Sequence, residues 1–198
     1  MGLTNFSADL IIRHTPKGFK SVLELGAQNL YHSEYPQQPY ADIFYRKLGF
    51  DSYNCIDLSG ENYALKINLA TAYKYQPEEH DLVTDFGTSE HIENKSKFYW
   101  LSIWNCWRIK HEALMVGGIM INENPKTGNW KGHGYNYYTQ EFYTQLSKEM
   151  NYEILELGEN AAMGNTTDGW NIHCVLKKTI AKDFLPLQIF KTFNLKNA

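Results

Sequence analysis

The sequence predicts an α/β fold: a doubly wound, mostly parallel β-sheet with an antiparallel edge strand and helices on both faces. Short apolar segments alternate along the chain with segments of helical periodicity. The apolar segments lack a strict polar–apolar alternation, as expected for strands that are buried on both faces. The last two apolar segments are joined by a Gly- and Asn-rich loop without a helix, which favours an antiparallel pair at the sheet edge.

The first half of the chain contains four predicted strands. Residues 1–19 are expected to form a helical lead-in that ends in a turn at TPKG. The strand KSVLELGAQN follows, and then the helix PYADIFYRKLGF, whose apolar residues have near-helical spacing and which ends at Gly49. The apolar segments YNCIDLSG, ALKINLAT and HDLVTDFG are predicted to be the second, third and fourth strands.

The second half begins with the longest helical pattern, residues 93–115. The segment GGIMINENP is predicted to be a fifth strand, which Pro125 ends. The segment YTQEFYTQLSKEM is predicted to be a helix with Thr139 as its N-cap. YEILELGE and NIHCVLKKT are the two closing strands, and residues 183–198 are predicted to be a C-terminal extension that forms a helix.

Length and composition limit the classes of protein to consider. A chain of 198 residues suits a single domain, 1–198. The net charge of -3 supplies no general attraction to nucleic acid. No signal-peptide pattern and no apolar run of membrane-spanning length is visible, so we expect a cytoplasmic protein without a membrane segment. Cys55, Cys106 and Cys174 are predicted to be reduced core thiols. The sequence predicts no oligomeric state.

The ends of the first two strands predict a nucleoside site. In open sheets of this kind ligands bind beyond the carboxyl ends of the strands. Gly26 ends the first strand and lets a ligand approach the backbone closely. Gln28 and Tyr31 occupy the later glycine positions of a G-x-G-x-x-G pattern, so a pyrophosphate cradle is not expected. Asp57 ends the second strand, where a carboxylate can accept both hydroxyls of a ribose.

These motifs resemble, in their order and spacing, those of the class I S-adenosylmethionine-dependent methyltransferases, which have a Rossmann-like fold. The acid-x-Gly motif matches Glu24, Leu25 and Gly26, and the ribose acid matches Asp57. The adenine-contacting segment looks like INLAT, with Asn68 where Asp is commoner, and the fourth motif matches DLVTDFGTSEHI. The resemblance spans residues 20 to about 178. Gln28 and the long loop NLYHSEYPQQP depart from the pattern.

The resemblance implies S-adenosylmethionine as the cofactor. It also implies a cofactor site at the ends of the strands, formed by Glu24, Gly26, Ala27, Gln28, Asp57, Leu58, Asn68, Leu69, Asp85, Phe86, Gly87 and Thr88. The alternative is a Rossmann-like domain in which the acid at the end of the second strand is accidental.

The pair Glu90–His91 is the candidate for proton or metal chemistry. Each residue of the pair also has a purely structural explanation. The helix dipole stabilises a carboxylate such as that of Glu90 near a helix N-terminus, and His91 could be a packing residue. The pair resembles the "EH" of quinone-biosynthesis O-methyltransferases and the end of the E-x-x-E-H motif with which small-RNA 2′-O-methyltransferases hold a divalent metal. Gly87 replaces the first acid, and His133 matches the later histidine. Glu90, His91 and His133 are therefore the candidate catalytic residues or metal ligands, Mn²⁺ or Zn²⁺ suiting them better than Mg²⁺.

An oxygen or carboxylate acceptor is expected, because DFGT stands where DNA amino-methyltransferases carry an Asn/Asp-Pro-Pro-aromatic stretch. Aromatic residues predicted near the carboxyl ends of the strands suit a small hydroxylated acceptor: Tyr31, Tyr35, Trp130, Tyr135 and Tyr137. Two other groups of residues have both a structural and a functional interpretation. One is a stripe with helical spacing that belongs either to the core or to a wall that contacts the acceptor: Trp100, Trp104, Trp107 and His111. The other follows the fifth strand and either forms a turn or binds hydroxyl groups: Asn122, Glu123 and Asn124.

The sequence thus predicts an S-adenosylmethionine-dependent methyltransferase that acts on a hydroxyl of a small molecule or sugar. Nucleic acid is not expected as a partner because a basic track is lacking. An RNA ribose methyltransferase and a non-catalytic nucleoside-binding module with the same fold are the alternatives.

Overall fold

The computed structural model describes residues 2–33, 40–71, 80–93, 98–161, 169–193 and 195–197. In chain order its elements are β1 (Gly2–Thr4), α1 (Asn5–His14), β2 (Ser21–Leu25), β3 (Asn29–Tyr31), α2 (Ala41–Lys47), β4 (Ser52–Asp57), β5 (Leu65–Lys66), β6 (His80–Phe86), a 3₁₀ turn (Ser89–His91), α3 (Tyr99–Ala113), β7 (Leu114–Pro125), β8 (Asn136–Tyr137), α4 (Gln140–Met150), β9 (Tyr152–Ala161), β10 (Trp170–Lys178), α5 (Leu187–Phe190) and β11 (Lys196–Asn197).

The central sheet has the strand order β5-β4-β2-β6-β7-β10-β9. Its strands are parallel except β10, which pairs antiparallel with both β7 and β9. The predicted fold class and the predicted antiparallel pair at the sheet edge are therefore confirmed. Two small sheets were not predicted: β1 pairs with β3, and β8 pairs with β11.

Both faces of the sheet are covered. Neighbouring residues of one strand belong to different apolar clusters, as Val22 and Leu23 do. The cluster that contains Val22 includes residues of α1 and α2, and the cluster that contains Leu23 includes residues of α3, α4 and the C-terminal segment. Since side chains alternate between the faces of a strand, this two-sided burial explains why the strands are apolar at consecutive positions.

Local hydrogen bonds set the helix ends. The side chain of Thr139 accepts a hydrogen bond from the amide of Phe142 at 3.0 Å, which confirms the predicted N-cap of α4. Thr4 and Ser7 form a capping box at the start of α1. Asn151 ends α4 in the left-handed conformation, at a φ of 55°.

Three predicted elements differ from the structure. The predicted third strand is two residues long, Leu65–Lys66. Glu90 and His91 lie in the 3₁₀ turn instead of opening the long helix, and α3 begins at Tyr99. The described residues of the segment 183–198 form the four-residue α5, which starts after Pro186, and the strand β11, instead of one terminal helix. The apolar side chains of this segment belong to the same cluster as those of α3 and α4. Pro186 disfavours the helical conformation at the residue before it, so a continuous helix is interrupted there.

Three further expectations concern the cysteines, membrane-spanning helices and the loop before α2. Cys55, Cys106 and Cys174 are free and buried, as predicted. Among the helices that the structure describes, none combines the length and the apolar character that crossing a membrane requires. Part of the loop before α2, residues 34–39, lies outside the described residues, and so does its predicted acceptor residue Tyr35.

Candidate active site

A cavity of about 600 Å³, here called cavity A, lies at the carboxyl ends of β2, β4 and β6. Most of the residues predicted to bind the cofactor line it: Gly26, Ala27, Gln28, Asp57, Leu58, Asn68, Leu69, Gly87 and Thr88. They come together because the carboxyl ends of parallel strands meet at one edge of a sheet.

Gly26 and Gln28 form the wall that follows β2. Gly26 has a φ of 81°, and a Cβ there would lie 2.3 Å from Oγ1 of Thr88, so only glycine fits. The buried Gln28 donates from Nε2 to the carbonyl of Leu25 at 3.2 Å and to Oγ1 of Thr88 at 3.3 Å. Its Oε1 is buried but has no hydrogen-bond partner in the described part of the chain. A ligand N–H group in cavity A would satisfy this acceptor.

Asp57 is a charged, fixed acceptor in the same cavity. Its Oδ2 accepts from the amide of Ala27 at 2.9 Å, and its Oδ1 accepts from the amide and the hydroxyl of Ser59, each at 2.7 Å. Burial alone would raise the pKa of Asp57, but the hydrogen bonds from Ser59 and Ala27 outweigh it and hold the pKa below its usual value. A carboxylate offers about four lone-pair sites, so roughly one is left for a ligand hydroxyl.

The loop after β5 closes the cavity on the other side. Oδ1 of Asn68 accepts from the amide of Ala70 at 2.9 Å, which fixes the turn after β5. Leu58 and Leu69 add apolar surface beside it. The arrangement suits the flat face of an aromatic base more than a further charged group.

Three predicted cofactor residues do not line cavity A. Glu24 is fully buried and accepts hydrogen bonds from the hydroxyls of Tyr45 at 3.0 Å and Tyr53 at 2.6 Å. Its burial raises its pKa to about 8. Asp85 is also fully buried, and Phe86 faces a second cavity. The contribution of Glu24 and Asp85 to the site is therefore indirect.

Asp85 holds the segment that carries Glu90 and His91. Its Oδ2 lies 2.8 Å from Nζ of Lys110, and neither side chain is exposed. Its Oδ1 accepts from the amides of Thr88 at 3.1 Å and Ser89 at 3.2 Å. Burial alone would raise the pKa of Asp85, but the Lys110 ammonium lowers it below its usual value. The two amides that donate to Oδ1 fix the start of the 3₁₀ turn, and the ion pair with Lys110 holds Asp85 beneath it.

The second cavity, cavity B, has a volume of about 310 Å³ and shares Gly87 with cavity A. Tyr31 and Trp130 line it, as predicted for acceptor-binding aromatic residues. Tyr135 lines cavity A instead. Tyr137 is buried and donates its hydroxyl to the carbonyl of Trp130 at 2.6 Å, so it lines neither cavity.

Glu90, His91 and His133 meet where the two cavities adjoin. Oε1 of Glu90 lies 3.7 Å from Nε2 of His91 and 3.9 Å from Nε2 of His133. This oxygen is buried and has no hydrogen-bond partner among the described residues, while Oε2 accepts from Asn124 at 3.2 Å. Burial, helped by repulsion from Asp85, raises the pKa of Glu90 to about 8. Burial also lowers the pKa of each histidine, so both imidazoles are uncharged at neutral pH.

The other candidate residues divide between core and site. Trp107 is buried in the core, and Trp104 donates from Nε1 to the carbonyl of Leu185 at 2.8 Å, so this stripe is structural. Asn122 and Asn124 are buried and bond to neighbouring side chains. Glu123 lines cavity B.

The N-terminal wall of cavity B, which Gly2, Thr4 and Ser7 form, was not predicted from the sequence. The pairing of β1 with β3 brings this segment to the site. No motif in the first residues signals such a long-range pairing.

No protein-family model and no curated protein sequence matches the chain. The fold is nevertheless similar to that of solved structures. A putative S-adenosylmethionine-dependent methyltransferase from Listeria monocytogenes is 12% identical with a TM-score of 0.60, and the match covers 87% of this chain and 97% of the other. The 1,6-didemethyltoxoflavin-N1-methyltransferase from Burkholderia thailandensis, solved with 1,6-didemethyltoxoflavin and S-adenosylhomocysteine, is 12% identical with a TM-score of 0.57 and coverages of 87% and 76%.

The N-methyltransferase NodS from Bradyrhizobium japonicum, solved with S-adenosylhomocysteine, is 11% identical with a TM-score of 0.57 and coverages of 86% and 85%. At these identities the likeness shows the fold alone. That fold is the Rossmann-like one found in S-adenosylmethionine-dependent methyltransferases, as the sequence predicts.

Proposed function

We propose that the chain is an enzyme that transfers a methyl group from S-adenosylmethionine to a hydroxyl of a small molecule. One observation carries this proposal. The cavity formed by the predicted cofactor residues adjoins a second, smaller cavity at Gly87, and three side chains that can move a proton lie at that junction. Methyl transfer requires such an arrangement, because donor and acceptor must meet in line while water is kept away.

Cavity A offers groups that fit the cofactor. The Asp57 carboxylate suits a ribose hydroxyl, and Gly26 leaves the backbone open to close approach. The unpartnered Oε1 of Gln28 suits the ammonium of the methionine part. Bound S-adenosylmethionine would supply an activated methyl group and leave as S-adenosylhomocysteine.

The residues at the junction would hold the acceptor and take its proton. His133 lines cavity B and His91 lines cavity A, so His133 is on the acceptor side. We assign the general base to Nε2 of His133, which accepts the hydroxyl proton as the new oxygen–carbon bond forms and then passes it to solvent. Oε1 of Glu90 lies 3.7 Å from Nε2 of His91 and 3.9 Å from Nε2 of His133, so Glu90 in its ionised form would stabilise the imidazolium that results.

A divalent metal is the alternative role for the same three side chains. Their ligand atoms all lie within 4.8 Å of one another, and the unpartnered Oε1 of Glu90 is one of them. Atoms bound to one ion at 2.0–2.1 Å lie at most about 4.2 Å apart, so a small closure would complete the site. Two imidazoles favour Mn²⁺ or Zn²⁺ over Mg²⁺, and a bound ion would polarise the acceptor oxygen.

A nitrogen acceptor is the second candidate for the reaction. The proteins of similar fold from Burkholderia thailandensis and Bradyrhizobium japonicum are N-methyltransferases, which is an analogy at the level of the fold. RNA is less favoured, because cavity B contains the carboxyl groups of Glu90 and Glu123 and the net charge is -3.

The test is transfer of a labelled methyl group from S-adenosylmethionine to a panel of small alcohols, phenols and amines. His133→Asn is expected to lower kcat about 100- to 10,000-fold and to leave S-adenosylhomocysteine binding unchanged. His14→Asn is the matched control, because His14 lines neither cavity. A His133→Asn enzyme with nearly full kcat would refute the assignment of the base. Binding of S-adenosylhomocysteine without turnover on any acceptor would favour the non-catalytic nucleoside-binding module.

A further inference from the structure

Glu123 is a buried carboxyl group in the wall of cavity B. Its Oε2 accepts from the hydroxyl of Ser7 at 2.6 Å, and its Oε1 accepts from Nδ2 of Asn160 at 2.8 Å and of Asn171 at 3.0 Å. All three partners are neutral donors. Among the described residues no cationic side chain pairs with this carboxyl group, whereas buried carboxylates in proteins are usually paired.

A histidine lies opposite Glu123 in the sheet but does not form an ion pair with its carboxyl group. His173 lies opposite Glu123 in the pairing of β10 with β7. Its Nδ1 lies 3.0 Å from Oδ1 of Asn160, and its Nε2 lies 3.2 Å from Oε1 of Glu156. Both ring nitrogens are therefore engaged by other residues. The neighbouring carboxylates of Glu156 and Glu123 act to raise the pKa of His173, but burial outweighs them and lowers it, so His173 supplies no permanent positive charge to Glu123.

A second carboxyl group faces the same cavity. Glu90 lines cavity B, and its buried Oε1 has no hydrogen-bond partner in the described part of the chain. The described lining of cavity B contains neither lysine nor arginine. Cavity B thus has the Glu123 carboxyl group and an unsatisfied oxygen of Glu90, and its described lining has no permanently positive side chain, which favours a positively charged occupant with N–H donors.

Aromatic rings complete this environment. Tyr31, Phe86 and Trp130 line cavity B. Nε1 of Trp130 donates to Oδ1 of Asn171 at 3.0 Å, and Nδ2 of Asn171 donates to Glu123. Because one asparagine ties the indole to the carboxyl group, ring and charge are held together. A carboxylate beside aromatic rings is the arrangement that recognises organic ammonium groups.

We propose that the acceptor is a small organic cation, a molecule with an ammonium group that binds at Glu123 and a nucleophilic group directed to the junction at Gly87. This inference rests on the proposed function and names its substrate class. The amide of Gly87 donates to the carbonyl of Glu123 at 3.0 Å, so the anchoring residue adjoins the junction. At about 30 Å³ for each water, cavity B has the volume of roughly ten waters, which limits the acceptor to a small molecule.

The test compares amines with neutral molecules of similar shape, in the presence of saturating S-adenosylhomocysteine. The pairs are tyramine with 4-ethylphenol and 5-aminopentan-1-ol with hexan-1-ol, and binding is measured by calorimetry. A charge-assisted hydrogen bond predicts that each amine binds about 10- to 100-fold more tightly than its partner. Glu123→Gln should remove most of that preference. Glu153→Gln, the same change at an exposed position of β9, should keep it.

Three results would overturn the inference: equal binding of amine and neutral partner, no binding of any probe while S-adenosylhomocysteine binds, or an unchanged preference in Glu123→Gln. If Glu123→Gln does not fold, the comparison within the unaltered protein still decides, because it needs no variant. Failure of S-adenosylhomocysteine itself to bind would instead overturn the proposed function, and this inference with it.

Discussion

Removing the Asp57 carboxylate tests the cofactor site most directly. Asp57 accepts three hydrogen bonds from Ala27 and Ser59, and roughly one lone-pair site is left toward cavity A. Asp57→Ala deletes the charged acceptor. The donors that it frees line or border an open cavity, where water can satisfy them. We therefore expect a large effect on ligand binding and a small one on the ligand-free protein.

The magnitude follows from the remaining lone pair. One hydrogen bond to a charged acceptor contributes about 1.5–3 kcal/mol, which corresponds to about a 10- to 100-fold change in affinity. At a ligand concentration of about 100 Kd, binding stabilises the folded state by about 2.7 kcal/mol. For a chain of this length that corresponds to a Tm increase of about 5–11 °C. A hundredfold loss of affinity leaves about 0.4 kcal/mol, or about 1–2 °C.

The assay is a titration of S-adenosylhomocysteine followed by calorimetry and by thermal unfolding. Asp51→Ala is the matched control, because Asp51 immediately precedes β4 and is exposed. An Asp57→Ala protein that binds S-adenosylhomocysteine within twofold of the unaltered protein would contradict the assignment of Asp57 to the ribose. Stabilisation by NAD and not by S-adenosylhomocysteine would refute the choice of cofactor.

The other predictions concern the buried ion pair, metal, RNA and pH. Lys110→Met leaves the Asp85 carboxylate buried without its cation, so urea unfolding should show that the free energy of unfolding falls by about 3–5 kcal/mol. The double variant Lys110→Met with Asp85→Asn should lose less, and an equal loss in the two variants would argue against the ion pair. Activity should persist in excess EDTA, since an imidazole base needs no ion; activity that EDTA abolishes and Mn²⁺ restores would favour the metal alternative. RNA oligonucleotides should bind weakly at physiological salt because the net charge is -3, and tight, steeply salt-dependent binding with methylated ribose in the product would contradict this. Because burial raises the pKa of Glu90 from 4.5 to about 8, its stabilising contribution is complete below about pH 4.5 and is lost as the pH rises through about 8. The unaltered protein should therefore lose more free energy of unfolding than Glu90→Gln between about pH 5 and about pH 9. An identical pH profile of the two proteins in urea unfolding would contradict the raised pKa.

The parts of the site that the sequence predicts are those with a local signal. Gly26, Asp57 and Asn68 each lie at or just after the end of a short strand, and parallel strands bring such positions to one edge of the sheet. The acceptor wall is different, because Ser7 reaches Glu123 across more than a hundred residues. The pairing of Asp85 with Lys110 also depends on how α3 packs, which residue periodicity does not specify. The finer resemblance to quinone-biosynthesis enzymes stays a prediction, as does the cytoplasmic location.

Two buried glutamates beside the site have pKa values raised to the same level but differ in their hydrogen bonding. Burial raises the pKa of both Glu24 and Glu90 to about 8. In Glu24 each oxygen accepts a hydroxyl, from Tyr45 and from Tyr53, and the side chain lines neither cavity. In Glu90 one oxygen lacks a partner among the described residues, and the side chain lines cavity B. A satisfied buried acid stabilises its surroundings, whereas an unsatisfied acceptor at a cavity wall has a lone pair available to a ligand. The unmet hydrogen bond, more than the shifted pKa, therefore makes Glu90 a better candidate than Glu24 for a carboxyl group that contacts a ligand.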